Sequence, residues 1–317
     1  MPALFIFAHL DLWIRWLACQ RIMFLTLCVN VLGTALFYAL ANLFMTTFDY
    51  GISGVPIADA IVSVLILTLV ATFSFCSPKV KKVLQPLNSE AFEGWFKYLK
   101  IGIPTSMMLV TQSLTFYALV MMAASIGELE LGSFVICLHV VHIMSMFSKG
   151  MAMAASALIG NSIGANNVKL AKRFFSFSLK FSMILVGFIA TAIIIARRVI
   201  LRNLTPDEEV IDMTTPLVII ASCNFLTDGL QGALGGSIRA LGLQKYAGYI
   251  ALGCYLLIGL PLSVLLAFKC DLGLKGLLFG MIAATTLQAL LYLAILLRAD
   301  WQEIAYKVAK RISKEQT

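Results

Sequence analysis

The stretch that decides the fold is "IRALGLQK", Ile238–Lys245, a short polar interruption between two long apolar segments. Near the beginning of the chain, Ile14–Arg21 reads "IRWLACQR", so both stretches have the form I-R-x-L-x-x-Q followed by a base. A further pair consists of "GISGV" at Gly51–Val55 and "GLKGL" at Gly273–Leu277. The members of the two pairs are almost equally far apart and follow the same order along the chain, which indicates a duplicated structure.

The composition is typical of a membrane protein. Of the 317 residues, 60% are hydrophobic and 13% are charged, and the mean hydropathy is +0.93. Soluble domains carry about 25% charged residues, and ~18 or more consecutive apolar residues favour a membrane span. Helices are expected because backbone groups in lipid must be satisfied within the segment. The sequence therefore predicts an all-α membrane protein with about nine transmembrane helices, the first of them short. The candidate spans lie near 1–17, 22–48, 55–76, 101–126, 131–157, 174–196, 214–237, 246–268 and 276–297.

The distribution of bases predicts the orientation. If Ile238–Lys245 faces the cytoplasm, 17 of the 24 Lys and Arg residues lie on that side and five lie on the other. Cytoplasmic loops carry the excess of Lys and Arg, so this orientation is favoured. Orientation also explains the net charge of +8, which therefore does not require a nucleic-acid partner.

The longest polar interval predicts the boundary between two lobes. Residues 77–100 contain two prolines and five lysines, a composition typical of a cytoplasmic linker. It separates an N-terminal lobe of three helices (1–76) from a C-terminal lobe of six helices (101–297). A basic cytoplasmic tail (298–317) follows, whose amphipathic pattern suits either the inner membrane surface or a solvated helix end.

The repeat relates spans one to three to spans seven to nine. Both sets cross the membrane in the same direction at the repeated stretch, which predicts two parallel-repeat helical bundles, the first of them incomplete. Parallel duplicated lobes are a transporter architecture, in which the substrate path runs between or within the lobes.

Several motifs, in order and spacing, resemble the multidrug and toxic compound extrusion (MATE) family of antiporters. They are "IGIPTSMM" (Ile101–Met108), "AASALIGNSIGANNVKLAKR" (Ala154–Arg173), "DGLQGALGGSIRALGLQKYAGY" (Asp228–Tyr249) and "YLLIGLP" (Tyr255–Pro261). The resemblance covers nearly the whole chain. It implies two bundles of six helices, of which this chain would lack the first three helices. It also implies export of organic cations and xenobiotics in exchange for protons or sodium.

The sequence departs from the family pattern at four positions. Gln112 and Tyr117 occupy the positions of two glutamates that eukaryotic members usually carry in the first helix of the second lobe. Leu158 replaces a usual arginine, and Ala251 replaces a frequent asparagine. The proton site described for bacterial members lies in a helix of the first lobe that this chain would lack. Because of these departures, the family pattern does not identify the residues of this chain that would bind the coupling proton or sodium ion.

Asp228 is the only acidic residue deep inside a span of the second lobe. An ionised carboxylate in hydrocarbon is costly, so it must face a partner or a water-filled cavity. In the functional interpretation, Asp228 alternates between the protonated and charged forms as water gains and loses access to it. In the structural alternative, it pairs with Lys180, Gln112 or Asn224.

Other polar residues in the spans are weaker candidates for binding substrate or a cation. Gln112, Tyr117, Asn224 and Tyr255 could line a cavity, although polar groups in membranes also join helices to one another. His139 is a candidate proton relay. A pair of histidines without further ligands does not define a metal site, and no cofactor is expected beyond the coupling ion, H+ or Na+.

The repeated polar stretch is interpreted as a structural hinge formed by Arg15 and Gln20 in one copy and Arg239 and Gln244 in the other. A base at a helix C-terminus can bind the last carbonyl groups and interacts favourably with the helix dipole. Gly232 and Gly236 form a G-x-x-x-G pair, which permits close approach of another helix.

Three functions are compatible with these features. The first is a polyspecific cation antiporter that works by alternating access, in the plasma membrane or the vacuolar membrane, with a monomer expected. The second is a flippase for lipid-linked precursors, although few bases lie at span depth to bind phosphate. The third is a truncated product that does not transport and needs a partner. An enzyme is not predicted, because no nucleophile–base arrangement or phosphate loop is present.

Overall fold

The computed structural model describes residues 2–19, 22–77, 80 and 94–315, and in that part of the chain the regular structure is entirely helical. The helices are α1 (Pro2–Cys19), α2 (Met23–Asn42, continued by the π turn Leu43–Thr47), α3 (Gly54–Cys76), α4 (Trp95–Ile126), α5 (Glu128–Gly164), α6 (Val168–Leu204), α7 (Glu208–Ala240), α8 (Gln244–Lys269), α9 (Gly273–Arg298) and α10 (Trp301–Glu315). Two π turns, Gly253–Gly259 and Leu265–Lys269, lie within α8.

Seven helical segments in the described residues are long and apolar enough to cross a membrane, and they correspond to α2, α3 and α5–α9. The two other predicted spans, 1–17 and 101–126, coincide with α1 and α4, whose apolar portions are the shorter segments Phe5–Ile14 and Val110–Ile126. The prediction of an all-α, multi-pass membrane protein is therefore confirmed.

The chain divides into two compact units, unit 1 (Met1–Glu93) and unit 2 (Gly94–Thr317). Most of the predicted linker 77–100 lies outside the described residues. Its last residues differ from the prediction, because α4 begins at Trp95, directly after Gly94 in a left-handed conformation (φ 79°). Aromatic residues such as Phe96 and Tyr98 extend the helix before the apolar segment that marked the predicted span.

Unit 1 is held together by contacts of α3 with α1 and α2. Its small core contains Leu10 and Leu17 from α1 and Val62, Ile66 and Val70 from α3. The spacing of these α3 residues places them on one face of the helix. The remaining surface of α2 is mostly exposed.

Unit 2 is built around the contact between α5 and α7. A β-carbon placed on Gly232 would lie 2.9 Å from the Ser148 carbonyl oxygen, and one placed on Gly236 would overlap the Ala152 carbonyl. The two helices can approach this closely only because both positions lack a side chain, as the G-x-x-x-G spacing predicts. From the first contact to the second, the residue number rises by four on both helices, from Ser148 to Ala152 and from Gly232 to Gly236. The helices α5 and α7 therefore run parallel.

The second pair of repeated stretches has the same backbone conformation in both units. The Phe48 N–H donates to the Leu43 carbonyl (3.2 Å), and one repeat later the Cys270 N–H donates to the Leu265 carbonyl (3.1 Å). Each bond closes a π turn at the end of a membrane helix.

The turn that follows is also the same in both units. Asp49 and Asp271 have φ values of 50° and 52°, and Gly51 and Gly273 both have a φ of 53°. These values fall in the left-handed region, which glycine adopts without steric cost and aspartate tolerates. The local geometry therefore repeats residue by residue at this pair of stretches.

The first pair of repeated stretches repeats less closely. The end of α7 is a Schellman motif, in which Leu243 N–H donates to the Ile238 carbonyl (3.0 Å) and Gly242 N–H to the Arg239 carbonyl (3.1 Å). Gly242 has the required positive φ (73°). Backbone groups thus satisfy carbonyls that the hinge interpretation assigned to the Arg239 side chain, and Gln244 Oε1 has no hydrogen-bond partner within the described structure.

In unit 1, the corresponding helix ends in a different register. Ile22 N–H donates to the Leu17 carbonyl (3.1 Å), and α1 continues to Cys19. In contrast, α7 ends at Ala240, which corresponds to Trp16 at the spacing of this pair of stretches. Gln20 and the side chain of Arg15, which the hinge prediction also included, lie outside what the structure describes.

The C-terminal helix α10 packs its apolar face on unit 2. The Trp301 indole N–H donates to the Leu296 carbonyl (3.1 Å), and its ring centroid lies 5.5 Å from that of Phe175. Ala305 is fully buried one turn later. Trp301 and Ala305, on the apolar side of the predicted tail, are therefore covered by protein.

Candidate functional site

Asp228 lies in the second half of α7 and is the acid that the sequence singles out. Its Oδ2 atom is shielded from solvent and has no hydrogen-bond partner among the described residues. The polar side chains next to it on α5 are Ser148 and Lys149. Asp228 forms no salt bridge within 4 Å to a described base. The predicted pairing with Lys180 is therefore not observed, and the Lys180 side chain is exposed on α6.

A further buried polar atom near Asp228, Tyr255 OH, also has no partner in the described structure, and the Ser148 hydroxyl makes no hydrogen bond there other than a weak contact with the Asp228 carboxyl. Tyr255 is fully buried, and its hydroxyl lies near the Asp228 carboxyl. It lies in the π-helical turn Gly253–Gly259 of α8. Isolated π turns within α-helices occur frequently at functional sites, because the extra residue redirects side chains. Buried groups without partners are rare in folded proteins and mark a place where an additional proton, water or ion can bind.

A neighbouring hydrogen-bond network joins α7 to α9. Thr285 Oγ1 donates to Asn224 Oδ1 at 2.7 Å, and Thr227 Oγ1 lies 3.1 Å from the same oxygen. Asn224, one turn before Asp228, is a predicted site residue whose amide oxygen is thus engaged in holding two helices together. The network fixes the face of α7 that carries Asp228.

A second network joins α9 to α8. Gln288 Nε2 donates to Tyr292 OH (2.7 Å), which in turn donates to the Ala247 carbonyl (3.2 Å). Tyr292 also lies near the Tyr255 hydroxyl. Gln288 Oε1 is another buried atom without a partner among the described groups. The sequence analysis missed Thr285, Gln288 and Tyr292, and the signal that could have found them is their spacing on one face of an apolar helix.

The remaining predicted site residues do not join this cluster. Gln112 is half-buried on α4, and Tyr117 on the same helix is 71% exposed. His139 is exposed on α5, with Nδ1 2.8 Å from the Val135 carbonyl of its own helix. Of the predicted residues, the structure thus brings together Asp228, Tyr255 and, one turn away, Asn224.

Unit 1 contributes no comparable site within its described residues. An open groove of about 660 Å³ on α2 is lined by Asn30, Val31, Thr34, Ala35 and Tyr38, and it contains no carboxylate or base. The described residues of the whole chain contain no group of three or more His, Cys, Asp or Glu side chains that could hold a metal. The chemistry available in unit 2 is therefore that of one carboxyl and two hydroxyls in a low-dielectric environment. Such a set can bind a proton or a monovalent cation.

These features define a class, the multi-pass membrane proteins built from duplicated helical bundles with an ionisable group inside a bundle. Within that class, the MatE family profile matches residues 104–265, which is more than half of the chain. The chain therefore belongs to the MatE family.

Curated relatives and solved structures agree with this assignment. Protein DETOXIFICATION 36 of Arabidopsis thaliana is 25% identical over 302 residues, which cover 95% of this chain and 60% of the relative. Protein DETOXIFICATION 18 of the same plant is 30% identical over 283 residues, covering 89% and 59%. Multidrug and toxin extrusion protein 1 of Danio rerio is 24% identical over 317 residues, covering 100% and 53%.

The crystal structure of the eukaryotic MATE transporter AtDTX14 has the same fold. The TM-score is 0.93 at 25% sequence identity, over 98% of this chain and 70% of that chain. The predicted MATE-like fold is thereby confirmed. The chain spans about half to two thirds of the length of the curated relatives it matches.

Proposed function

We propose that this protein is a secondary active transporter that exports organic cations and other xenobiotics in exchange for protons or sodium by alternating access. The observation that carries the proposal is the buried carboxylate oxygen Oδ2 of Asp228, which has no hydrogen-bond partner among the described residues. Asp228 is the only acid of unit 2 that lies away from a helix end. The names of the relatives, detoxification and multidrug and toxin extrusion proteins, describe the same type of activity.

The exchange follows from competition for one negative charge. An ionised carboxylate inside a membrane helix is costly and is stabilised by either a proton or a cation. A proton neutralises the group and thereby removes the attraction for a cation, so the two ligands exclude each other. If each ligand is released on a different side of the membrane, the gradient of one drives the other. We place this activity in the plasma membrane or the vacuolar membrane.

The test is transport by the purified chain reconstituted in vesicles. With an imposed proton gradient, a fluorescent organic cation should move against its own concentration gradient, and Asp228→Asn should reduce the initial rate at least about 100-fold, because the amide cannot exchange a proton. The matched control is Asp212→Asn, which removes an acid at the beginning of the same helix from an exposed ion pair with Arg198 (2.9 Å). The control should retain wild-type transport.

Two outcomes would contradict the proposal. Equal transport by Asp228→Asn and Asp212→Asn, at equal melting temperature, would exclude Asp228 from coupling. Dye binding without movement in the wild type would favour the non-transporting alternative. Imposing a sodium gradient at constant pH, and then a proton gradient without sodium, identifies the coupling ion.

A further inference from the structure

Lys149 is a cation in an unusual place. It lies fifteen residues before the end of α5 at Gly164, about 22 Å from the nearer end of the helix at 1.5 Å per residue. The helix is longer than the membrane is thick, but Lys149 also lies eight residues inside the end of the predicted span 131–157. Those eight residues correspond to about 12 Å, which exceeds the reach of a lysine side chain toward the membrane surface. No salt bridge within 4 Å joins Lys149 to a described carboxylate. An unpaired ammonium at this depth requires either water or a nearby negative charge.

One polar neighbour accompanies Lys149 on the exposed side of α5. At 100° per residue, His142 lies about 20° from Lys149 on the helix wheel, two turns earlier, and both side chains are exposed. The rest of the exposed side at this depth carries Met146, Ile143 and Phe147, which are 49%, 58% and 45% exposed and suited to lipid. Lys149 and His142 therefore form the polar edge of an otherwise apolar exposed side.

The packing of α5 on α7 brings Lys149 to the level of Asp228. Ser148, the residue directly before Lys149, is in contact with Gly232, which is one turn after Asp228 on the same face of α7. Side chains of a helix lean toward its N-terminus, so the lysine extends from the level of Gly232 toward that of Asp228. Asp228 and Lys149 are thus the acid and the base nearest to each other at this depth in unit 2.

We propose that Lys149 is a tethered counter-ion, which pairs with the ionised Asp228 carboxylate when neither a proton nor a transported cation occupies it. This role rests on the proposed exchange at Asp228. The empty site would otherwise hold a bare carboxylate in the membrane, so the lysine stabilises that intermediate. The lysine also competes with the substrate, so a transported cation must bind the carboxylate more tightly than the lysine does.

The other groups around Asp228 leave Lys149 as its only charged neighbour among the described residues. Ser148 on α5 and Tyr255 on α8 are neutral hydroxyls, and Tyr292 on α9 lies near Tyr255. On α6, Ser182 donates to the Gly229 carbonyl (2.9 Å), and the lysine of that helix, Lys180, does not interact with Asp228.

The test compares Lys149→Met with Lys180→Met, which neutralises a second exposed lysine within the spans of unit 2. Equilibrium binding of a fluorescent organic cation to the purified protein is measured as a function of pH. For Lys149→Met, we expect roughly tenfold tighter binding at alkaline pH, because the internal competitor is gone. The pH at which binding falls to half should move upward, because the carboxylate loses its stabilising charge and takes up a proton more readily. Lys149→Arg should behave as the wild type, and Lys180→Met should change neither quantity.

A second measurement separates this inference from the proposed function. The infrared band of the protonated Asp228 carboxyl, assigned by its loss in Asp228→Asn, can be titrated without any substrate. A midpoint that moves upward in Lys149→Met supports the counter-ion even if vesicles show no transport. Identical binding curves and infrared midpoints for Lys149→Met and Lys180→Met would overturn it, whether or not the wild type transports.

Discussion

The two units share a backbone but differ in the chemistry they enclose. Gly51 and Gly273, the equivalent turn residues, are 222 residues apart. At the same spacing, the positions of Tyr255, Gln288 and Tyr292 in unit 2 correspond to Gly33, Ile66 and Val70 in unit 1. In unit 1, the end of the Ile66 side chain occupies the space that a β-carbon on Gly33 would need. In unit 2, the same positions form a polar cluster in which Tyr255 OH and Gln288 Oε1 have no hydrogen-bond partner among the described residues.

The helices themselves reflect this difference. In unit 1, α2 is regular up to the π turn at Leu43–Thr47. In unit 2, α8 has the equivalent π turn and an additional one at Gly253–Gly259, which carries Tyr255. The turn that ends each helix therefore belongs to the backbone architecture that both units share, which we call the frame. The additional π turn is found only in unit 2 within the described residues, next to the polar site. Duplication supplies the architecture, and substitutions within one copy supply the chemistry.

The largest expected effect on stability comes from substituting the glycines at which the backbone of the shared frame packs most closely. A β-carbon on Gly276 would lie 2.6 Å from the Leu266 carbonyl carbon, and one on Gly54 would lie 3.0 Å from the Phe44 carbonyl carbon. Because these contacts are to backbone atoms that cannot move aside, Gly276→Val and Gly54→Val should each lower the free energy of unfolding by about 3 kcal/mol. Thermal unfolding in detergent measures the effect.

The control for both variants is Gly253→Ala, since nothing lies within 4 Å of a β-carbon at that position. It should leave the melting temperature nearly unchanged. If Gly54→Val were tolerated while Gly276→Val was not, the two turns would not be equivalent parts of a repeated frame.

The frame was largely predictable from the sequence. Long apolar segments located the membrane helices, although several helices extend beyond the predicted limits, and "GISGV" and "GLKGL" located a turn that repeats residue by residue. The pair "IRWLACQR" and "IRALGLQK" was less informative. The end of a helix depends on backbone hydrogen bonds, such as that from the Leu243 N–H to the Ile238 carbonyl, and the amino-acid sequence does not specify these bonds directly.

The site was only partly predictable. Asp228 stood out because an acid within an apolar span is rare, and its burial agrees with that reasoning. Tyr117 was selected as a polar residue at a position that resembles a family glutamate and His139 as a titrating group, but a single sequence does not show which face of a helix is covered. Tyr292 was missed because its partner, the Ala247 carbonyl, belongs to another helix, and Gln288 was missed because it bonds to Tyr292.

Exchanging one residue between the units gives an intermediate effect. Ile66→Gln would place an amide in the apolar core of unit 1, where it removes buried apolar surface and adds unpaired polar atoms, so a loss of about 2–3 kcal/mol is expected. The reciprocal change, Gln288→Ile, replaces a side chain that already has one unpartnered atom and should cost less than about 1 kcal/mol. Thermal unfolding of the two variants side by side tests whether Ile66→Gln costs more stability than Gln288→Ile. Equal losses would contradict the idea that the packing of unit 2 tolerates either a polar or an apolar side chain at this position.

The smallest effect on stability is expected at Tyr255, where function and stability should separate. Its buried hydroxyl has no partner among the described residues, so Tyr255→Phe removes an unsatisfied group and should leave the free energy of unfolding unchanged or raise it by about 1 kcal/mol. If the hydroxyl shares a proton, water or cation with Asp228, the same change should slow proton-driven cation transport roughly tenfold. A structural tyrosine would give the opposite combination, with lost stability and retained transport. The matched comparison is Tyr292→Phe, which removes a hydroxyl that makes two hydrogen bonds and should therefore lower the melting temperature.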